Sequence, residues 1–187
     1  NFDRKIHVKQ AEELTANLFW GMDFNVMHMT SVLGCSYSDG SIHYFDEIRQ
    51  SNSNTEQLAI AMKKIAPGIN VYPDATGSAR STTSNKSDHQ ILIDHGFNVI
   101  AKKVNPPIID RINALNRMLV DANGKIRMTV DPKCTYLIKD LEQVQRSRDG
   151  KIEKLKDITL SHAFDACSYY IALRHSLVKR SVTSSQW

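Results

Sequence analysis

The sequence predicts an α/β protein built on one mixed β-sheet flanked by helices. Three observations lead there. Residues 18 to 48 carry the signature of an antiparallel meander, the chain beyond alternates helix and strand patterns, and 187 residues with 41% hydrophobic content suffice for one core of ordinary size. Strands joined through helices pair in parallel, because a parallel connection needs a crossover of a dozen or more residues. The sheet should therefore be antiparallel in the meander and parallel beyond it.

Residues 1–17 read as a lead-in, irregular or helical, since Ala11-Glu12-Glu13-Leu14 is helix-prone but weakly amphipathic. From 18 to about 33 the pattern is strand-like. Trp20, Met22, Phe24 and Val26 alternate with the small or polar Gly21, Asp23 and Asn25, which puts Asp23 on the face opposite the apolar row. Asp39-Gly40 signals a turn, and 42–48 reads as the next strand, completing a meander of three. Helix character over 55–66, with Thr55 as N-cap and Pro67-Gly68 as stop, leads to a short strand over 69–74 that ends in Asp74.

Further on, a helix over 88–95 stops at Gly96, a strand covers 97–101, and a helix covers 106–120 with prolines at its start. A short strand over 126–130, a helix over 131–141 and a hairpin over 144–155 about Asp149-Gly150 follow. The last element is a helix over 162–178 with Ser161 as N-cap, and the tail 181–187 should fray.

The net charge of +4 permits a polyanionic partner without requiring one. Cys35, Cys134 and Cys167 are far apart and show no CxxC or ligand spacing, which fits buried thiols in a reducing cytosolic setting. No apolar run approaches the ~20 residues of a membrane span, and the opening Asn1-Phe2-Asp3-Arg4-Lys5 is unlike a signal peptide. The missing initiator Met suggests a piece excised from a longer chain. No HExxH pattern points to zinc, no Gly-x-Ser-x-Gly elbow to acyl transfer, and no P-loop to ATP hydrolysis. Cys167 reads as core.

Three acids stand out by position: Asp23 in the first strand, Asp74 at the end of a later strand and Asp165 in the first turn of the last helix. Converging carboxylates are what Mg²⁺ or Mn²⁺ requires, because these ions prefer hard oxygen ligands, and a two-ion site holds its ions only ~3.5–4 Å apart. Gly21 and Gly77 leave room nearby, and a helix N-terminus favours the ionised form of Asp165. Each acid also has a structural reading. Asp23 can cap a bulge, Asp74 can serve the turn through Gly77, and Asp165 can be an ordinary helix-start acid.

Trp20-Gly21-Met22-Asp23-Phe24, Tyr72-Pro73-Asp74-Ala75-Thr76-Gly77-Ser78 and His162-Ala163-Phe164-Asp165-Ala166-Cys167-Ser168-Tyr169 resemble, in order, the three acidic motifs of the nuclease domain of tailed-phage terminase large subunits. The last is the most specific, a His-Ala-x-Asp-Ala helix followed by an aromatic. The first is weak alone, because actin-like ATPases and many resolvases also place an acid in strand one. The resemblance spans roughly residues 18 to 178.

This resemblance implies a ribonuclease-H-like mixed sheet, an antiparallel meander plus parallel strands, within a single nuclease domain over 1–187. Residues 1–17 would be its lead-in, 18–178 its core and 179–187 its flexible tail. It implies a metal-dependent endonuclease that cuts double-stranded viral DNA during headful genome packaging. Asp23, Asp74 and Asp165 would be catalytic and would ligate two Mg²⁺ or Mn²⁺ ions, with no organic cofactor. In the longer chain an ATPase domain would precede this one, and a portal protein and the small terminase subunit would be partners. The setting would be the host cytoplasm, with no membrane, no secretion and no place in the mature virion. A non-catalytic module that docks DNA or the portal, and a resolvase- or integrase-type nuclease of the same fold, are the rival readings.

A fourth ligand is not evident. Asp157, Glu47 and Asp131 are possible helpers, though solvated surface roles suit each, and His162 can orient Asp165 or the nucleophilic water, or pack at the helix start. Arg146, Arg148, Lys151 and Lys154 on the 144–155 hairpin, together with Arg80, Lys86, Lys102 and Lys103, are candidate contacts for DNA phosphates.

Overall fold

The computed structural model describes residues 1–79, 85–146, 152–153 and 160–176. A six-stranded sheet forms its middle layer, in the order β5-β4-β1-β2-β3-β6. The meander comprises β1 (Leu18–Asp23), β2 (Met29–Ser36) and β3 (Ile42–Gln50), paired antiparallel. Asp39-Gly40 makes the second turn, with Gly40 at φ +80, a left-handed conformation that glycine adopts without steric cost. β4 (Asn70–Pro73) pairs parallel to β1, β5 (Asn98–Val99) parallel to β4, and β6 (Met128–Val130) parallel to β3.

β1 is buried on both faces, as a central strand with helices above and below must be. Trp20 and Met22 point into one core with Val71, α2 (Thr55–Ile65) and α3 (Asp88–Asp94). Phe19 points into the other with Tyr44 and Tyr72, beneath α4 (Ile108–Leu119), α5 (Thr135–Gln143) and α6 (His162–Arg174). Phe24 and Val26 lie past the end of the strand, so the expected apolar row stops at Met22.

α6 is buried on nearly every side, because it lies on the sheet with α4 and α5 on its flanks. Tyr44 fastens it by donating its hydroxyl to the Cys167 carbonyl at 2.9 Å, and the ring of Phe19 stacks on Tyr170 with centroids 3.4 Å apart. Gly21 permits the contact with β1, since a Cβ there would collide with the carbonyl oxygen of Ala166.

Several boundaries differ from expectation. α2 is capped by Asn54, whose side chain accepts from the Gln57 amide, rather than by Thr55. α5 begins at Thr135, not Asp131, which instead accepts from the Lys133 amide in the preceding turn. Ser161 does not cap α6. It sits in the left-handed region at φ 80, and the amides of Ala163 and Phe164 donate instead to Oδ2 of Asp140 on α5, at 2.9 and 3.0 Å. The lead-in holds α1 (Arg4–His7) and an isolated bridge from Val8 to Val130. Strand pairs at 145–146 and 152–153 form the predicted hairpin, whose tip lies outside the described residues; α6 ends at Arg174, short of the expected 178, and residues 177–187 also lie outside the described residues.

All three cysteines are free and buried. No helix among the described residues is long and apolar enough to cross a membrane.

Candidate active site

The parallel register of β1 and β4 sets Met22 beside Pro73, and the Asp74 amide donates to the Met22 carbonyl at 3.1 Å. Asp23 and Asp74 therefore leave the sheet side by side at the carboxyl ends of neighbouring parallel strands, where open α/β sheets form their binding crevices. The close passage of α6 over Gly21 brings Asp165 and Tyr169 to the same end.

Each carboxylate is held by different partners. One oxygen of Asp23, only 7% exposed, accepts from His162 Nδ1 at 2.9 Å. Asp74 accepts from the Thr76 amide (2.7 Å), Asn105 Nδ2 (2.6 Å) and the Tyr169 hydroxyl (3.0 Å). Asn105 is itself fixed, because its Oδ1 accepts from the Ala75 amide at 2.9 Å. One oxygen of Asp165 accepts from Arg111 Nη1 at 2.7 Å, and the same nitrogen donates to Ser168 Oγ at 2.7 Å.

The electrostatics of these groups are coupled. Burial pushes the Asp165 carboxyl up to about 6; Arg111 opposes the rise and the charge of Asp23 adds to it. Burial also raises Asp74, but hydrogen bonds from Thr76, Asn105 and Tyr169 outweigh it and leave this carboxyl below its ordinary value. The Tyr169 hydroxyl is driven far up by burial, then by Asp165, against Arg111, with Asp23 and Asp74 adding. Tyr169 thus senses all three acids.

Among the described residues no group of three or more His, Cys, Asp or Glu side chains stands ready as a metal cage. The donor chemistry nevertheless suits a hard cation. Asp23 is buried and Asp165 half-buried, each using one oxygen in its contact with His162 or Arg111, and Asp74 stands at the adjoining strand end.

The other expected residues separate. Lys102 and Lys103 are exposed on the loop that carries Asn105, beside Asp74. Lys86 is paired with Asp94 at 2.5 Å. Arg80, Arg148, Lys151, Lys154 and Asp157, and the side chain of Arg146, lie outside the described residues. Glu47 is structural, accepting from the amides of Tyr136 and Leu137 at the start of α5. His162 contacts Asp23 rather than Asp165. Sequence reasoning missed Arg111 and Asn105. Arg111 looks like one more charge on an amphipathic helix, and Asn105 like an ordinary residue before Pro106.

A six-stranded sheet in this order, with an antiparallel meander, parallel outer strands and helices on both faces, is the architecture of a ribonuclease-H-like nuclease domain. The nuclease domain of the P22 large terminase superposes with a TM-score of 0.72 at 18% identity, covering 94% of this chain and 91% of that one. The large terminase nuclease domain of bacteriophage SPP1, solved with bound Mn, gives 0.54 at 16% identity over 87% and 94%. The large terminase nuclease of thermophilic phage G20c, solved with bound magnesium, gives 0.57 at 14% over 86% and 84%. Residues 20–174 match the terminase RNaseH-like domain, and the chain belongs to that family. No curated protein matches it in sequence.

Proposed function

We propose that this domain is a metal-dependent endonuclease that cuts double-stranded viral DNA during genome packaging, with Asp23, Asp74 and Asp165 as its catalytic acids and the ligands of two Mg²⁺ or Mn²⁺ ions. The observation that carries the reading is that Asp23 and Asp74 leave the carboxyl ends of β1 and β4 side by side and are both hydrogen-bonded from α6, the helix that carries Asp165, by His162 and Tyr169. The SPP1 and G20c relatives, solved with Mn and magnesium, favour divalent ions of this kind.

Asp23, Asp74 and Asp165 would hold the ions, which would supply an activated water and neutralise the charge that develops on the cleaved phosphate. The protein's part is to hold the acids. His162 orients Asp23, while Asn105, Thr76 and Tyr169 orient Asp74. With its carboxyl at about 6, Asp165 is mostly ionised at neutral pH and ready to bind a cation. Lys102 and Lys103, exposed on the loop that carries Asn105, contact DNA phosphates without reading sequence.

The chain acts as one nuclease domain, 1–17 as lead-in, 18–178 as core and 179–187 as tail, following an ATPase domain in a host-cytoplasmic motor with a portal and a small terminase subunit. The test is cleavage of supercoiled plasmid with Mn²⁺, Mg²⁺ or EDTA by the native chain and by Asp23→Asn, Asp74→Asn and Asp165→Asn. Nicking that needs the metal and all three acids is expected. Equal cutting by folded variants, or none by the native chain, would transfer the assignment to a docking module.

A further inference from the structure

Arg111 is only 8% exposed, and it reaches the acidic patch from the first turn of α4. Its Nη1 is shared between Asp165 and Ser168 at 2.7 Å each, and its guanidinium lies over the Tyr169 ring, 4.7 Å from the centroid. Its Nε is buried and, among the described residues, has no hydrogen-bond partner. A guanidinium presents five donors, so a buried one with an orphaned Nε is poorly matched as a hydrogen-bonding tie between helices. What the position does supply is positive charge, against Asp165, the neighbouring Asp23 and the ring face of Tyr169.

We propose that Arg111 is a positioning residue that serves as the built-in counter-cation of the acidic patch, holding the Asp165 carboxylate in place while no divalent ion is bound. The inference rests on the reading of Asp23, Asp74 and Asp165 as an ion-binding site. Arg111 and an arriving ion then compensate the same carboxylate, so they are thermodynamically coupled: each weakens the need for the other, and the coupling is reciprocal. A packing tie would show no such coupling, since it acts through shape and leaves the charge balance untouched.

The first arm needs no metal. Thermal melts at pH 8 in EDTA compare the native chain with Arg111→Gln, Asp165→Asn and the double variant. Arg111→Gln is expected to melt lower, and the double variant to regain most of the loss, because removing Asp165's charge removes the need for its counter-charge. Should Arg111→Gln fail to fold, folding of the double variant supports the proposal equally. A double variant no more stable than Arg111→Gln, or one that is likewise unfolded, overturns it.

The second arm titrates Mn²⁺ alone by calorimetry. Arg111→Gln is expected to bind about fivefold tighter or more and to gain more in melting temperature from the ion than the native chain. Arg111→Lys, which keeps the charge and loses the planar stack, should stay near native affinity. Unchanged or weaker binding by Arg111→Gln contradicts the coupling. If the native chain binds no Mn²⁺, the ion-binding reading falls, and the first arm alone decides whether Arg111 is the counter-charge.

Discussion

Two aspartates, Asp140 and Asp165, are packed against α6, and they are held in opposite ways. Asp140, 2% exposed on α5, accepts from the Ala163 and Phe164 amides, the orphan donors of the first turn of α6. Asp165, within α6 itself, meets a guanidinium on one oxygen and lies near a second acid. Burial raises the pKa of both, yet the backbone donors that oppose the rise at Asp140 are fixed parts of the helix. A buried acid saturated by amides belongs to the architecture. One that shares its patch with other acids and leans on a single cation is equipped to take up another charge.

The sharpest way to break that distinction is to move α6. Gly21→Val would drive a side chain into the Ala166 carbonyl and is expected to lower stability by more than about 3 kcal/mol, read as a shift of the urea midpoint, with cleavage lost alongside. Next in size, Asp140→Ala strands two amides and should cost about 1–3 kcal/mol, whereas Asp165→Asn should abolish metal-dependent nicking in a chain that still folds. Large destabilisation without loss of nicking in Asp165→Asn would reverse the two roles.

The same pair differs in acid titration. Because the Asp165 carboxyl is raised from 3.8 to about 6, its contribution to folding is complete below 3.8 and is lost as pH rises through 6. Metal-free melts should show that loss between these values in the native chain and not in Asp165→Asn. His162→Ala, which frees Asp23 from its orienting bond, should lower cleavage ~10–100-fold with little change in melting temperature. Smallest of all, replacing Lys102 and Lys103 by Ala should weaken DNA binding modestly and reduce the slope of log affinity against log salt by about 2.

Much of this was legible from local pattern. The strand carrying Asp23, the short strand leading to Asp74 and the helix carrying Asp165 follow from period-2 alternation, turn glycines and the helical run from 162, though not their ends, and the three acidic motifs identified the family. What stayed hidden depends on which helix packs beside which. Arg111 becomes special only because α4 lies against α6, and Asn105 only because its loop folds back over the end of β4. The cap of α6 was assigned to Ser161 because caps are sought next door in sequence, whereas Asp140 supplies it from 23 residues away. The partners of charged side chains were equally hidden, since Lys86 pairs with Asp94 and Glu47 accepts from amides at the start of α5.

The most direct test of the ion-binding site is diffraction at the manganese absorption edge from crystals of this chain soaked in Mn²⁺. The account predicts anomalous density bonded to carboxylate oxygens of Asp23 and Asp165, with Asp74 alongside. No such density, or density remote from all three acids, would contradict it.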